Sequence, residues 1–179
     1  TKLPDFVIVG AQKCGTSFLA RHLSTHPHIT VVRKESPPKN ELHFFDNEAN
    51  WEKGVEWYRS HFLNDGKTWG EKTPKYLYDT ACHERMYATI PKAKLIAILR
   101  NPVTRAYSQW NWNAKRPRRR QKDGHSHKPG GRPFEKAIQK FSELLKRGEY
   151  IEQLESLLKF YPKEQVLVLI SERMWKEPQ

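Results

Sequence analysis

A glycine-rich segment near the start of the chain has the composition of a phosphate-binding loop. Residues 10–17 place one lysine between two glycines and end in two hydroxyl side chains. Glycine lets the backbone wrap closely around an anion, and the unpaired N–H groups at the start of a following helix favour phosphate. The candidate contacts are Gln12, Lys13, Cys14, Gly15, Thr16 and Ser17. An ordinary glycine-rich turn between a strand and a helix is the alternative for this segment taken alone.

A second segment, residues 99–108, joins another apolar run to a helical pattern and contains two arginines. Arg100 stands where the predicted strand ends, and Pro102 fits the first position of a helix. Arg100 and Ser108 can then both reach a phosphate at the carboxyl edge of a parallel sheet, where open α/β sheets bind ligands. Taken alone, these arginines are more typical of surface or ion-paired residues. Their combination with the first loop favours a ligand that carries two phosphate-like groups.

The position of Lys13 separates the first loop from a Walker A motif. That motif ends in Gly-Lys-Ser/Thr, whereas here the lysine lies inside the loop and Gly15 precedes Thr16. No lysine is therefore adjacent to a magnesium-binding hydroxyl in the usual place, which argues against a metal-dependent ATPase or GTPase. A P-loop nucleotide kinase or other phosphotransferase stays as an alternative, and it would need Mg²⁺ and accept ATP.

The spacing of apolar residues predicts an α/β fold in which a P-loop-like parallel sheet is flanked by helices on both faces. Strands are predicted at residues 6–9, 29–32, 68–71, 93–99 and 165–170. Helices are predicted at residues 16–26, 51–59, 80–90, 103–113, 134–146 and 149–160. Alternation of this kind implies right-handed crossovers and places the site at the carboxyl edge of the sheet. Trp51, Trp57 and Tyr58 are predicted to be core residues rather than a face that stacks on a sugar.

These segments resemble a known family, the sulfotransferases that use 3′-phosphoadenosine 5′-phosphosulfate (PAPS). The similarity is to the heparan sulfate N- and 3-O-sulfotransferase branch and its bacterial relatives, and it covers residues 4–112 and 147–175. In this family the counterparts of four segments are the 5′-phosphosulfate loop, the segment of the catalytic glutamate, the segment beside the acceptor and the 3′-phosphate motif. The matching residues here are 12–17, 41–46, 70–76 and 100–108.

The resemblance implies a reaction and assigns its residues. A sulfuryl group moves in line from PAPS, with the bisphosphate PAP as product and no metal required, to a hydroxyl or amine. We expect the acceptor to be a carbohydrate or glycolipid. Because an acceptor hydroxyl needs a base, Glu41 is the candidate, and His43 is a second base or a group that orients the acceptor. Lys13 is expected to stabilise the leaving phosphate. Lys72 is expected near the sulfuryl group or an acidic acceptor, paired with Glu71.

The charge of the chain is positive and uneven. Its 179 residues carry a net charge of +12, and residues 115–132 hold eight basic residues and one acidic residue. We predict a single sulfotransferase domain over residues 1–179, with residues 115–132 as a flexible basic insertion. The insertion is either solvated or attracts a polyanionic acceptor. A nucleic-acid-binding module is the alternative outside enzymes, and it is weaker because the two loops already account for an anionic ligand.

The sequence also supports expectations about location. No apolar run approaches the roughly 20 residues of a membrane span, so we expect a soluble protein without a transmembrane segment. No signal peptide is visible at Thr1, and the sparse pair Cys14 and Cys82 suits a reducing compartment. The expected location is the cytoplasm for a bacterial protein, or the Golgi lumen for a trimmed eukaryotic catalytic domain. Family members continue past Arg173 into a loop that covers the nucleotide, so we expect the sequence to be either a fragment or a chain that lacks this loop. The oligomeric state stays open.

Overall fold

Five parallel strands form one sheet in the computed structural model, which describes residues 1–32, 41–115 and 132–176. The strand order is β2-β3-β1-β4-β5, and each neighbouring pair is parallel. The strands are β1 Phe6–Gly10, β2 Ile29–Val31, β3 Thr68–Lys72, β4 Lys94–Leu99 and β5 Val166–Ile170. The predicted parallel α/β architecture is confirmed, and each strand agrees with its prediction to within a residue.

Nine helices are seen in the described part of the chain. They are α1 Thr16–Leu23, α2 Glu48–Trp51, α3 Gly54–Arg59, α4 Cys82–Thr89, α5 Pro102–Ala114, α6 Phe134–Lys140, α7 Glu143–Lys146, α8 Tyr150–Leu158 and α9 Ser171–Lys176. One turn of 3-10 helix, Lys163–Gln165, leads into β5. None of the described helices is long and apolar enough to cross a membrane. Of the predicted basic insertion, residues 116–131 lie outside the described residues.

Two predicted helices are wrong as continuous elements. The helix predicted over 51–59 is split into α2 and α3, because Gly54, the first residue of α3, has a φ of +78°, which does not occur in the interior of a right-handed helix. The helix predicted over 134–146 is interrupted at Phe141, whose ψ of 81° ends α6. That break turns Leu144 into the core and presents its carbonyl oxygen to the guanidinium of Arg105. The last helix, α9, is missing from the sequence-based assignment.

Strand β1 lies at the centre of the sheet and is buried along its whole length. Alternate side chains point to opposite faces of a strand. Phe6 and Ile8 accordingly pack with Ala20 of α1 in one cluster, whereas Val7 and Val9 join the main core on the other face. Since both faces are covered, the backbone of β1 is shielded from water and can hold the loop that follows it in a fixed position.

The sheet order places the two predicted phosphate loops side by side. Strands β1 and β4 are neighbours, yet β1 leads toward β2 on one side of the sheet and β4 leads toward β5 on the other. A crevice opens at the carboxyl ends of strands whose connections diverge in this way, and ligands of open α/β sheets bind there. The loop between β1 and α1 and the loop between β4 and α5 form this crevice.

An aromatic cluster supports the segment 41–46 that precedes α2. The ring of Phe44 lies 4.6 Å from Tyr58, 5.1 Å from Trp51 and 5.9 Å from Trp57, measured between centroids. Tyr58 is fully buried, and both tryptophans pack against the main core. The prediction of a core residue is confirmed for Tyr58, whereas Trp51 and Trp57 are only partly buried against the core. The cluster fixes one side of the segment that carries Glu41.

Candidate active site

Two residues of the glycine-rich loop between β1 and α1 adopt a left-handed backbone conformation. Lys13 has a φ of +71° and Gly15 a φ of +98°, and the Gly15 carbonyl accepts hydrogen bonds from Phe18 and Leu19 in the first turn of α1. Glycine adopts such a conformation at little cost, which explains its presence where the helix begins. The first amides of a helix have no acceptor within the helix itself. The first turn of α1 can therefore offer N–H groups and hydroxyls to an anion.

Lys13 and Arg100 connect the two predicted phosphate loops. The Arg100 guanidinium donates a 3.2 Å hydrogen bond to the Lys13 carbonyl oxygen, and the Lys13 ammonium lies 5.2 Å from the centre of the Trp112 ring. Burial, together with the nearby Arg100 charge, lowers the pKa of Lys13. Two neighbouring cations in a partly buried site favour an anion between them, because it relieves their repulsion.

Arg100 and Ser108 line the same cleft, which has a volume of about 470 Å³. The Nε atom of Arg100 donates to Thr104 at 3.1 Å, which orients the guanidinium. Asn101 fixes the start of α5. Its side-chain oxygen accepts hydrogen bonds from the backbone amides of Val103 and Thr104, and its backbone amide donates to Glu172 at 2.8 Å. The arrangement leaves a cationic side chain and a hydroxyl facing one space, which suits a phosphate group.

Lys72, at the end of β3, links the glycine-rich loop to Glu41. Its ammonium donates to the Glu41 carboxylate at 2.8 Å and to the Ser17 hydroxyl at 3.4 Å, and its side chain is only 8% exposed. The predicted ion pair between Lys72 and Glu71 is wrong, because Lys72 pairs with Glu41 instead. Burial would raise the pKa of Glu41, but hydrogen bonding and charge from His43 and Lys72 hold it below its usual value. Glu41 is consequently ionised at neutral pH.

His43 lies between two carboxylates. Its Nδ1 atom is 2.9 Å from Asp46, and its Nε2 atom is 3.0 Å from Glu41 in an ion-pair contact whose angle falls outside that of a regular hydrogen bond. Burial opposes the positive charge of the ring, yet the carboxylates of Asp46 and Glu41 raise the pKa of His43 to about 9. A protonated imidazole has no free lone pair, so of the two candidate bases only Glu41 can take a proton at neutral pH.

Three residues of this site are absent from the predicted set. Asp46 lies only 1% exposed at the His43 ring, although its place three residues after His43 could have indicated the pair. Arg147 donates to the side-chain oxygen of Gln12 at 2.8 Å, and the Tyr150 hydroxyl donates to the Arg100 carbonyl at 2.9 Å. The segment around Arg147 and Tyr150 was assigned only by resemblance, since no spacing rule connects it to the loops.

Cys14 occupies the interior of the glycine-rich loop. It is fully buried, and its sulfur lies 3.6 Å from the Tyr150 hydroxyl and 3.7 Å from the Gln12 carbonyl. Burial raises the pKa of the thiol, which keeps it protonated and unreactive. Cys14 and Cys82 are both free thiols. Cys14 therefore acts as a small residue that fits a tight turn.

Comparison with known families assigns the chain. Residues 3–179 match the family described as the sulfotransferase domain. The chain belongs to the sulfotransferase family. This sulfotransferase domain is 32% identical over 180 residues to human heparan sulfate glucosamine 3-O-sulfotransferase 5, covering 99% of the chain and 50% of that protein. It is also 40% identical over 106 residues to the bifunctional heparan sulfate N-deacetylase/N-sulfotransferase 1 of Caenorhabditis briggsae, covering 59% of the chain and 12% of that protein.

Solved structures share the fold of the sulfotransferase domain. A sulfotransferase from Alicyclobacillus acidocaldarius superposes with a TM-score of 0.75 at 28% identity, covering 99% of this chain and 77% of that one. Mouse sulfotransferase SULT7A1, complexed with PAP, has a TM-score of 0.60 at 18% identity, covering 97% and 53% of the two chains, and shows the fold alone. The sulfotransferase domain spans about half the length of the 3-O-sulfotransferases it matches.

Proposed function

We propose that the domain transfers a sulfuryl group from PAPS to a hydroxyl or amine of a carbohydrate. The observation that carries this proposal is the position of Lys72. Its ammonium contacts both Ser17, in the loop that would hold the phosphosulfate, and Glu41, the group that would take the acceptor proton. The donor loop and the base therefore both contact the Lys72 ammonium. In-line transfer between two oxygens requires the donor and the base to lie close together in this way.

The two loops would hold the two ends of the donor. Residues 12–17 would bind the 5′-phosphosulfate through backbone amides, the Thr16 and Ser17 hydroxyls and Lys13, while Arg100 and Ser108 would bind the 3′-phosphate. Lys13 would stabilise the negative charge that develops on the bridging oxygen as the sulfur–oxygen bond to the phosphate breaks. Transfer of a group with charged equatorial oxygens depends mainly on position and charge stabilisation, as in phosphoryl transfer.

Glu41 would act as the general base. As the acceptor oxygen forms its bond to sulfur, its proton would pass to the Glu41 carboxylate, and PAP would leave as the other product. The protonated His43 ring would orient Glu41 and the acceptor rather than accept the proton. Lys72 would exchange part of its contact with Glu41 for the sulfuryl oxygens when the donor binds, because it already lies beside Ser17.

The acceptor class follows from the relatives and from charge. The human and Caenorhabditis briggsae relatives named above are, by their names, heparan sulfate sulfotransferases. The present chain carries a net charge of +12, which attracts a polyanionic polysaccharide. A heparan-type carbohydrate is therefore the acceptor we propose to test first, ahead of a glycolipid or a small alcohol.

A transfer assay tests the proposal directly. Sulfur-labelled PAPS is incubated with the protein and either desulfated heparan sulfate, a neutral glycolipid or buffer, each with EDTA present. We expect label to appear in the polysaccharide and PAP to form in equal amount. Absence of PAP binding by calorimetry would refute the donor assignment. Phosphate transfer from ATP that requires added Mg²⁺ would support a phosphotransferase instead.

A further inference from the structure

A buried carboxylate beside the site has no part in the chemistry proposed above. Glu71 precedes Lys72 in β3, and only 1% of its surface is exposed. Three hydroxyl groups donate to it: Tyr58 at 2.6 Å, Thr73 at 2.9 Å and Tyr76 at 3.3 Å. A carboxyl group enclosed in this way needs donors to limit the cost of its desolvation. The three hydroxyls supply them, yet burial outweighs these hydrogen bonds and raises the pKa of Glu71 to about 7.

Two of the three hydroxyls continue to the segment that carries Glu41. The Thr73 hydroxyl oxygen accepts from the backbone amide of His43 at 3.4 Å, and the Tyr76 hydroxyl oxygen accepts from the amide of Phe44 at 2.9 Å. A hydroxyl has one hydrogen to donate. Because Glu71 accepts that hydrogen in both cases, the oxygen lone pairs of Thr73 and Tyr76 stay directed at the two amides.

The amides held in this way lie where the backbone needs support. His43 has a φ of +49°, a left-handed conformation that a residue with a side chain adopts at some cost. The same residue places its ring against Glu41, two positions earlier in the segment. A shift of the backbone at His43 or Phe44 would therefore move the base relative to the donor loop, to which Lys72 connects it.

We propose that Glu71 is a positioning residue, which acts through Thr73 and Tyr76 to fix the backbone of His43 and Phe44 and thereby the place of Glu41. This inference rests on the proposed sulfuryl transfer with Glu41 as base. Tyr58 differs from the other two donors: its ring stacks on Phe44, but its hydroxyl donates to Glu71. Loss of that hydroxyl leaves both amide contacts in place.

The pair of variants Tyr76→Phe and Tyr58→Phe separates positioning from plain stability. Each change removes one hydroxyl that donates to the same oxygen of Glu71, and each keeps the buried ring. Only Tyr76→Phe also removes the acceptor of the Phe44 amide. In the PAPS and heparan sulfate assay we expect Tyr76→Phe to lower kcat about 10-fold, with PAP affinity and KM for PAPS nearly unchanged, and Tyr58→Phe to lower kcat less than about 3-fold.

A second pair covers the other arm. Thr73→Val removes the hydroxyl that holds the His43 amide, whereas Thr73→Ser keeps it, so Thr73→Ser should restore most of the kcat that Thr73→Val loses. Thermal unfolding of all four variants shows which are folded at the assay temperature. Equal kcat losses in Tyr76→Phe and Tyr58→Phe, or losses that follow only the change in melting temperature, would overturn the positioning role.

Failure of this inference is distinct from failure of the proposed function. Glu41→Gln, measured in the same assay, should lose turnover whether or not Glu71 positions it. If Glu41→Gln is inactive while Tyr76→Phe is fully active, the positioning role is wrong and the base assignment holds. If Glu41→Gln keeps its activity, the base assignment itself is wrong, and the positioning inference falls with it.

Discussion

The Lys72 ammonium lies 2.8 Å from the Glu41 carboxylate, so the proposed base is paired with a cation 31 residues further along the chain. This pair lies at the end of β3, and the same ammonium also contacts Ser17 in the first turn of α1. A base that is already ion-paired must release part of that contact when the acceptor arrives. In the proposed mechanism, a donor sulfuryl group beside Ser17 would provide the alternative partner for the ammonium.

Replacement of Lys72 by Met should reduce turnover strongly. The change removes the cation that would neutralise the sulfuryl oxygens and leaves Glu41 without one of its partners, so we expect kcat to fall at least about 100-fold. The Glu41 pKa should rise, since Lys72 contributes to holding it down. Steady-state kinetics with labelled PAPS measures the fall in kcat. The control is Lys92→Met, which changes an exposed lysine just before the amino end of β4, and this variant should retain full activity.

Replacement of Glu41 by Gln should abolish transfer and spare nucleotide binding. An amide cannot take the acceptor proton, and general-base catalysis typically contributes about 10²- to 10⁴-fold. Calorimetry with PAP should give the wild-type affinity, because the donor contacts lie on other residues. Glu48→Gln changes an exposed carboxylate that pairs with Arg85 and is the matched control. Retained turnover in Glu41→Gln would remove this residue as the base.

Lys13→Ala and Arg100→Ala should each weaken PAP binding. Charge-assisted contacts to phosphate contribute about 1.5–3 kcal/mol, so the dissociation constant should rise roughly 10- to 100-fold for each variant. Titration calorimetry measures both values, and Lys92→Ala is the control. Arg100→Ala should reduce the affinity for PAP more than the affinity for a nucleotide without the 3′-phosphate. An unchanged affinity in both variants would contradict the assignment of the two loops.

Asp46→Asn should lower the pKa of His43 from about 9 toward its usual value near 6.5. The neutral amide removes a carboxylate charge at 2.9 Å from the ring. Because the pKa of His43 is raised in the folded state, the ion pairs of its ring stabilise the fold fully below a pH of about 6.5. This contribution to the free energy of unfolding is lost as the pH rises through about 9. NMR titration of the imidazole measures the shift, and urea unfolding across this range should show a shallower pH dependence in the variant. An unchanged His43 titration would contradict the contact.

Gly70→Ala should destabilise the fold. A Cβ atom at Gly70 would lie 2.3–2.5 Å from the ring atoms of Phe6 on the neighbouring strand β1. Overpacking of a core in this manner costs about 1–3 kcal/mol. Urea denaturation measures the loss in the free energy of unfolding. Phe6→Leu in the Gly70→Ala background opens space at that contact and should recover part of the stability; no recovery would argue against the clash.

The order of elements and the two candidate phosphate loops were accessible from the sequence because their causes are local. Apolar runs such as residues 6–9 predict buried strands, and glycine with lysine or arginine beside a helix start predicts an anion site. The split at Gly54 was missed since a glycine inside a helical pattern is often tolerated, and only its φ of +78° shows the break. The interruption at Phe141 accompanies a contact between the Leu144 carbonyl and Arg105, which lie 39 residues apart in the chain.

Residue types and spacing were enough to predict the alternation of strands and helices, the two loops with Lys13 and Arg100, and the candidate pair Glu41 and His43. The partners of these residues became clear only from the folded arrangement. It placed Lys72 on Glu41 rather than on Glu71, and it placed His43 between two carboxylates, where its pKa rises to about 9. The physical reason is that pairing, burial and protonation depend on distances between segments far apart in the chain, whereas residue spacing specifies only what is near along it.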